Sequence, residues 1–235
     1  IGWCGSFGAT KEVLLEAQKK RSVVKLNLSY AGLEEIPDDF FVGVSNVVSL
    51  NLARNKLTRL PPMENLVHLD ILNLEGNNFS VFPTSVYSLS SLSTLTLSFN
   101  ALTEIPDEIV KLRHLRVLNF TMNQITLLPE SIGLLYDLEE LYVSHNQLSR
   151  LPGSVGALTK LQILTLNDNN LQYLPDSLMS LVHLRSINIA SNALTADVEW
   201  AMRLPTLQTR GTKIIGLPKP TETAIASGAA ASSAP

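Results

Sequence analysis

Cysteine is nearly absent from this chain: Cys4 is the only one in 235 residues. A single thiol leaves no internal disulfide to staple the fold, so stability has to come from burial, and the usage fits a reducing compartment. Charge is scarce as well. Charged residues make up 17% and the formal net charge is −3, a balance that offers neither nucleic acid nor an anionic membrane a basic surface. No apolar run comes near the ~20 residues that span a bilayer. There is no glycine-rich phosphate loop and no Ser-His-Asp arrangement. His68, His114 and His183 stand 46 and 69 residues apart, which makes them occupants of one recurring slot rather than ligands of one ion, since strands two repeats apart are ~10 Å apart. What remains is 45% hydrophobic sequence, enough for one domain with a substantial core.

What the sequence does have is a period. The segment from Leu161 to Pro175 reads LxxLxLxxNxLxxLP, and its asparagine recurs as Asn55, Asn77, Asn100, Asn123, Asn146, Asn169 and Asn192, in steps of 22 and then 23 residues. A fixed period in this range is the signature of a solenoid, and this pattern resembles the leucine-rich repeat. Leu164 and Leu166 are two apart, so they share one face of a short strand, while Thr165 and Asn167 take the other. One such strand cannot bury its leucines alone; stacked copies join into a parallel sheet and close the leucines into a core. The expected fold class is therefore α/β, a leucine-rich-repeat solenoid with a curved parallel sheet on its concave face and short helical or irregular convex segments. The recurring asparagine, with donors and an acceptor on one side chain, is expected to pair the backbone of its own turn and of the next repeat. A Leu-Pro element then starts the return leg, with proline near the first position of a helical turn and Asp107, Glu130 and Asp176 placing negative charge at its positive end.

In chain order, residues 1–9 are small and non-repetitive, and residues 10–22 are expected to form a capping helix, with Thr10 as N-cap and Val13, Leu14 and Ala17 on one face. The repeat domain with its C-terminal cap runs over 23–217. Ala31 stands where the first repeat would carry asparagine, and the second repeat is one residue short around Pro61-Pro62-Met63. The eighth repeat lacks Leu-Pro. A ninth strand is expected to begin at Leu207, with Arg210 and Thr212 in its leucine slots, and Trp200 is expected to pack over the last turn. Residues 218–235 are biased and poor in core formers, and read as a disordered or partner-ordered tail.

The apolar-Pro element in six consecutive repeats after the first, with the opening Gly2, a helix ending Glu-Ala-Gln-Lys-Lys and the segment Leu-Glu-Glu-Ile-Pro37, resembles short intracellular leucine-rich-repeat proteins related to the Ras-binding scaffolds and Ras-suppressor proteins, and among them the small, N-myristoylated members. The resemblance spans about residues 10–207. It implies a scaffold or adaptor without enzymatic activity, cofactor or metal, located in the cytoplasm or in a membrane-associated, cytoskeletal or ciliary assembly. Its partner would be a protein, either a small GTPase or a subunit of a large assembly. Extracellular relatives close their ends with disulfide-bonded caps, for which one cysteine is too few; the sequons at Asn27, Asn78 and Asn119 are chance matches in asparagine-rich strands. Gly2-Trp-Cys-Gly-Ser6 fits the N-myristoylation element, with Cys4 as a second acylation site and hence peripheral membrane association; Ile1 and Trp3 depart from that signal.

The exposed positions follow from the register. After each central leucine stand Asn27, Asn51, Asn73, Thr96, Asn119, Tyr142, Thr165 and Asn188; before each ladder asparagine stand Tyr30, Arg54, Gly76, Phe99, Met122, His145, Asp168 and Ser191. The first column is mostly small and polar. Tyr142 interrupts it, near Met122, His145 and Phe99, with Glu140 and Asp168 at the margin, as in the apolar centre and polar rim of an interface. Tyr30, Arg54, Phe99, Met122, Glu140, Tyr142, His145 and Asp168 are thus the expected partner-binding residues. The alternative is a structural subunit held through its convex face and tail.

Overall fold

Two leucines with one residue between them commit only a short strand, and the chain obliges with nine: β1 Val24–Asn27, β2 Val47–Asn51, β3 Ile71–Asn73, β4 Thr94–Thr96, β5 Val117–Asn119, β6 Glu140–Tyr142, β7 Ile163–Thr165, β8 Ser186–Asn188 and β9 Lys213–Ile215. The computed structural model describes residues 24–194 and 207–216. The strands pair in parallel in chain order as one open sheet. Their central residues stack in register from Leu26 through Leu50, Leu72, Leu95, Leu118, Leu141 and Leu164 to Ile187. These side chains are buried to within a few per cent, each contributing about 1.5–3 kcal/mol of burial, and Phe41, Phe79 and Phe120 fill the wider parts of the same core.

On the convex side five repeats return through 3-10 helices, Thr84–Ser88, Asp107–Lys111, Glu130–Leu134, Gly153–Ala157 and Asp176–Ser180. Pro83, Pro106, Pro129, Pro152 and Pro175 sit one place earlier than expected, as N-caps in extended conformation rather than inside the first turn. The short second repeat makes only a turn, closed by the Leu66 N–H donating to the Met63 carbonyl. Successive convex helices come unusually close at Gly133 and Gly156. A Cβ on either would collide with the carbonyl oxygen and side chain of Ser154 or Ser177 in the following helix.

The asparagine ladder forms, but it points the other way from expectation. Asn146 donates from Nδ2 to its own Val143 carbonyl and to the Phe120 carbonyl of the preceding repeat, at 3.2 and 2.9 Å, and its Oδ1 accepts the Ile125 N–H at 3.0 Å. Asn55, Asn77, Asn100, Asn123, Asn169 and Asn192 repeat this set one unit apart. Each asparagine therefore serves its own turn and the repeat before it, not the one after. That direction explains Ala31. The first described repeat has no described predecessor to serve, and its own groups are taken by Asn55, which accepts from Ala31 N–H and Leu33 N–H.

A ninth strand exists, four residues later than its expected register. Ile214 pairs with Ile187, 27 residues on, so it is Ile214, not Arg210, that fills the central slot. Leu207 is buried before the strand, and the Thr212 hydroxyl, also buried, donates to the Leu184 carbonyl at 2.6 Å. Arg210 instead donates to the Met179 carbonyl. The expected flexible segment 1–9, capping helix 10–22, Trp200 packing and tail 218–235 lie outside the described residues, as do Gly2 and Cys4.

Two changes test this framework. Replacing Asn146 by alanine leaves buried donors and acceptors of two repeats unpaired and is expected to cost about 1–3 kcal/mol; at Asn192, whose bonds are the same but only half-buried, the loss is expected to be smaller because water reaches the freed groups. Equal falls in melting temperature would contradict the burial account. Gly156→Ala is expected to cost about 1–3 kcal/mol by overpacking. Gly153→Ala, where a Cβ meets nothing within 4 Å, is the control and is expected to be neutral in the same melt.

Candidate protein-binding face

Each strand leaves the sheet through one residue in the left-handed region. Tyr30, Arg54, Gly76, Phe99, Met122, His145, Asp168 and Ser191 all have φ between +53° and +65°, a conformation that disfavours side chains other than glycine. The expected exposed column before the ladder is therefore not on the strands. It is a row of turn residues along the exit rim of the concave sheet, while Glu140 and Tyr142 lie on β6 itself. Phe99 and Met122 occupy adjacent turns, linked by the Asn100 N–H donating to the Met122 carbonyl, and remain 44% and 41% exposed.

Three pairs organise the rim and the strand beside it. The Arg54 guanidinium bonds Glu75 at 2.5 Å and lies over the Phe99 ring, 5.1 Å from its centroid. This reach across a repeat needs Gly76, where a Cβ would stand 2.8 Å from Arg54 Cδ. His145 Nε2 faces Asp168 Oδ2 at 3.5 Å. The hydrogen bond from the Asn167 amide holds the Asp168 carboxyl below its ordinary range, with Ser191 and His145 adding to the effect. On β6 the Tyr142 hydroxyl donates to Glu140 Oε2 at 2.6 Å. Partial burial first, and then that carboxylate, push the phenol up to about 12. Tyr30, 78% exposed at the N-terminal end of the row, joins none of these pairs.

The small polar column is not bland. Asn27, Asn51, Asn73, Asn119 and Asn188 each turn Oδ1 back onto the backbone N–H two residues on, at 2.9–3.2 Å. They are caps for the strand exit. Thr96, Tyr142 and Thr165 replace that cap, and among the described residues the N–H groups of Ser98, Ser144 and Asn167 have no protein acceptor. Ser98 and Ser144 are themselves buried and Asn167 is half-buried. Sequence reasoning also missed the column before the central leucine: Ile71 is exposed, and Val117 and Ile163 are half-buried on the same face. Period-two alternation was the available signal, because residues on either side of an inward leucine both point out.

At the entry edge of the strands the side chains pair with one another: Ser93 with Asp70, Arg116 and Gln162 with Glu139, and Lys160 and His114 with Asp137. His68 and His183 are exposed in the slot of His114, and among the described residues no three His, Cys, Asp or Glu side chains are placed to hold a metal ion. No helix of the described residues is long and apolar enough to cross a membrane.

Residues 42–144 and 107–213 match the family described as leucine-rich repeat region. The chain belongs to the leucine-rich repeat family. Among solved structures it is similar to a leucine-rich repeat protein of Leptospira interrogans, at 32% identity and a TM-score of 0.63, over 77% of this chain and 52% of that one. It is also similar to the ectodomain of the Arabidopsis thaliana membrane receptor kinase GASSHO1/SCHENGEN3, in a structure with CASPARIAN STRIP INTEGRITY FACTOR 2, at 30% identity and a TM-score of 0.62, over 71% of this chain and 21% of that one. The repeats thus span about half the length of the first neighbour and a fifth of the second. Comparison with curated proteins finds no match.

The phenol on β6 gives this leucine-rich repeat face a titratable reporter. Glu140→Gln is expected to lower the Tyr142 midpoint from about 12 part of the way to its ordinary value of ~10, because burial, the larger cause, remains. The raised value means that the tyrosine favours folding below pH ~10 and that this share is lost as pH climbs through the folded midpoint. The check is tyrosine-resolved NMR titration against Tyr142→Phe; an unchanged midpoint in Glu140→Gln would refute the hydrogen bond.

Proposed function

We propose that this leucine-rich repeat chain is a non-catalytic interaction module, a scaffold or adaptor, that takes a protein partner on the concave face between β4 and β7. The observation that carries the reading is the coincidence of two departures from the repeat. Thr96, Tyr142 and Thr165 give up the cap that Asn supplies elsewhere, and the same stretch exposes Phe99, Met122 and His145 at the rim. Forgoing a cap leaves these three strand positions free to face a partner, and Tyr142 beside the exposed rim side chains suits an interface centre. The fold supports this class of function, as does the plant neighbour's structure in complex with CASPARIAN STRIP INTEGRITY FACTOR 2. The resemblance to Ras-binding scaffolds, a small GTPase as partner, a cytoplasmic site of action and acylation at Gly2 and Cys4 belong to the same proposal and rest on the sequence pattern.

The competing reading, a structural subunit docked by its convex side and tail, draws on Leu134 and Tyr136, exposed at 52% and 58% at the end of the third convex helix and just after it. Photo-crosslinking in the native cell separates the two. A benzophenone side chain placed at Met122 is expected to capture a discrete protein, capture that Tyr142→Ala lowers at least about tenfold, the effect of losing one interface hot spot. Capture from Leu134 alone would establish convex docking instead.

A further inference from the structure

The charges along the strand entry edge cancel in the middle of the sheet and fail to cancel at its C-terminal end. Arg116 is matched by Glu139, and Lys160 and His114 by Asp137. Beyond them come His183, Arg185 and Lys213, which make no ion pair among the described residues. His183 and Arg185 line a surface hollow of roughly 260 Å³ with Glu139, Lys160 and Gln162. Glu139 is shared there, since Arg116 and Gln162 each donate to one of its oxygens. In a chain whose net charge is −3, Arg185 and Lys213 at this end of the sheet are cations without an ion pair among the described residues.

The same edge adjoins the apolar column. The register carries Val117 to Glu140, Ile163, Ser186 and Lys213 on consecutive strands, with Glu140 turned aside by its bond from Tyr142. A ligand lying across the strands therefore meets aliphatic surface at Val117 and Ile163 and then cations at Arg185 and Lys213. Ile163 and Lys213 are two strands apart, about 10 Å, which an extended chain covers in about three residues.

Building on the concave-face reading, we propose that the partner contributes an extended acidic segment that crosses the sheet, with an apolar side chain on Ile163 and, about three residues on, carboxylates at Arg185 and Lys213. Electrostatic complementarity of this kind sets the direction in which the segment lies as well as its affinity.

The probe is a short fluorescent peptide with one leucine and, about three residues on, two glutamates, compared with the same peptide carrying lysines in their place. Fluorescence anisotropy is expected to show binding of the glutamate peptide about tenfold tighter, a preference that weakens in high salt. In the double variant Arg185→Glu, Lys213→Glu the preference is expected to reverse, and circular dichroism and melting report that the variant is folded. Equal affinities, a preference that survives charge reversal, or no binding of either peptide at millimolar concentration overturns the proposal. If it falls while crosslinking from Met122 still captures a partner, concave docking stands without the acidic segment; if both fail, the face itself is not the docking surface.

Discussion

Everything in this leucine-rich repeat depends on how one buried asparagine spends its three hydrogen-bonding groups. When the chain leaves each strand, two carbonyls and an N–H lose their sheet partners inside the protein, and leaving such groups unpaired costs about 1–3 kcal/mol each. The ladder side chain pairs all three, two of them across to the preceding repeat. A turn is thus completed only by the repeat that follows it. The stack is directional for that reason, and each internal repeat is both closed by its successor and closer of its predecessor. The C-terminal strand fits this logic: the Ile189 N–H finds its acceptor only in Ile215, and Gly216, at φ +85°, passes so close to Ala190 that a Cβ would not fit.

Once the leucines and the ladder are assigned, few positions per repeat are left to vary. Of those, the residue after the central leucine is also claimed wherever it is asparagine, because its carboxamide caps the strand exit. Only the column before the central leucine, the rim turns and the uncapped repeats are free to carry specificity. The left-handed rim makes this sharper. Seven of its eight residues keep a side chain at positive φ, at a cost of order 1–2 kcal/mol per residue against glycine, and the one glycine, Gly76, is the place over which Arg54 reaches to Phe99.

The period, the class of fold and the inward leucines were legible because burial alone produces them, and burial is written as spacing. The direction of the asparagine bonds was not, since an amide with donors and an acceptor satisfies the same sequence whichever neighbour it faces. Nor was the left-handed rim: Phe99 and Met122 give no sign of it, as the turn is imposed by backbone bonds between repeats. The ninth strand was expected and its register missed, because Ile214 sits 27 rather than 23 residues beyond Ile187 and no leucine marks the longer interval. Of the site residues, Tyr30, Arg54, Phe99, Met122 and His145 are exposed while Glu140, Tyr142 and Asp168 are half-buried; the rule placed turn and strand residues in one plane and overlooked Val117 and Ile163, whose apolar side chains read as core until the alternation is taken literally.

The convex layer bears on the concave one through curvature. A repeat bends the stack when its return leg takes more room than its strand, since strands keep a spacing of ~4.8 Å. Tyr87 and Val110 fill the convex slot in the third and fourth repeats, and Gly133 and Gly156 fill it in the next two. The bulky pair holds adjacent convex helices apart, with Tyr87 stacked on Phe82 and Lys111 over its ring at 5.3 Å. The glycines let the following helices close to backbone contact. Bulk behind β4 and β5 favours bending there, and the glycines behind β6 and β7 favour a flatter run. A flatter run is the geometry an extended segment needs to stay in contact over several residues, and the glycines stand behind the strands that lead from Ile163 toward Arg185 and Lys213. Small residues on the back of the solenoid and selective residues on its front are in this sense parts of one arrangement, coupled through the width of the repeat between them.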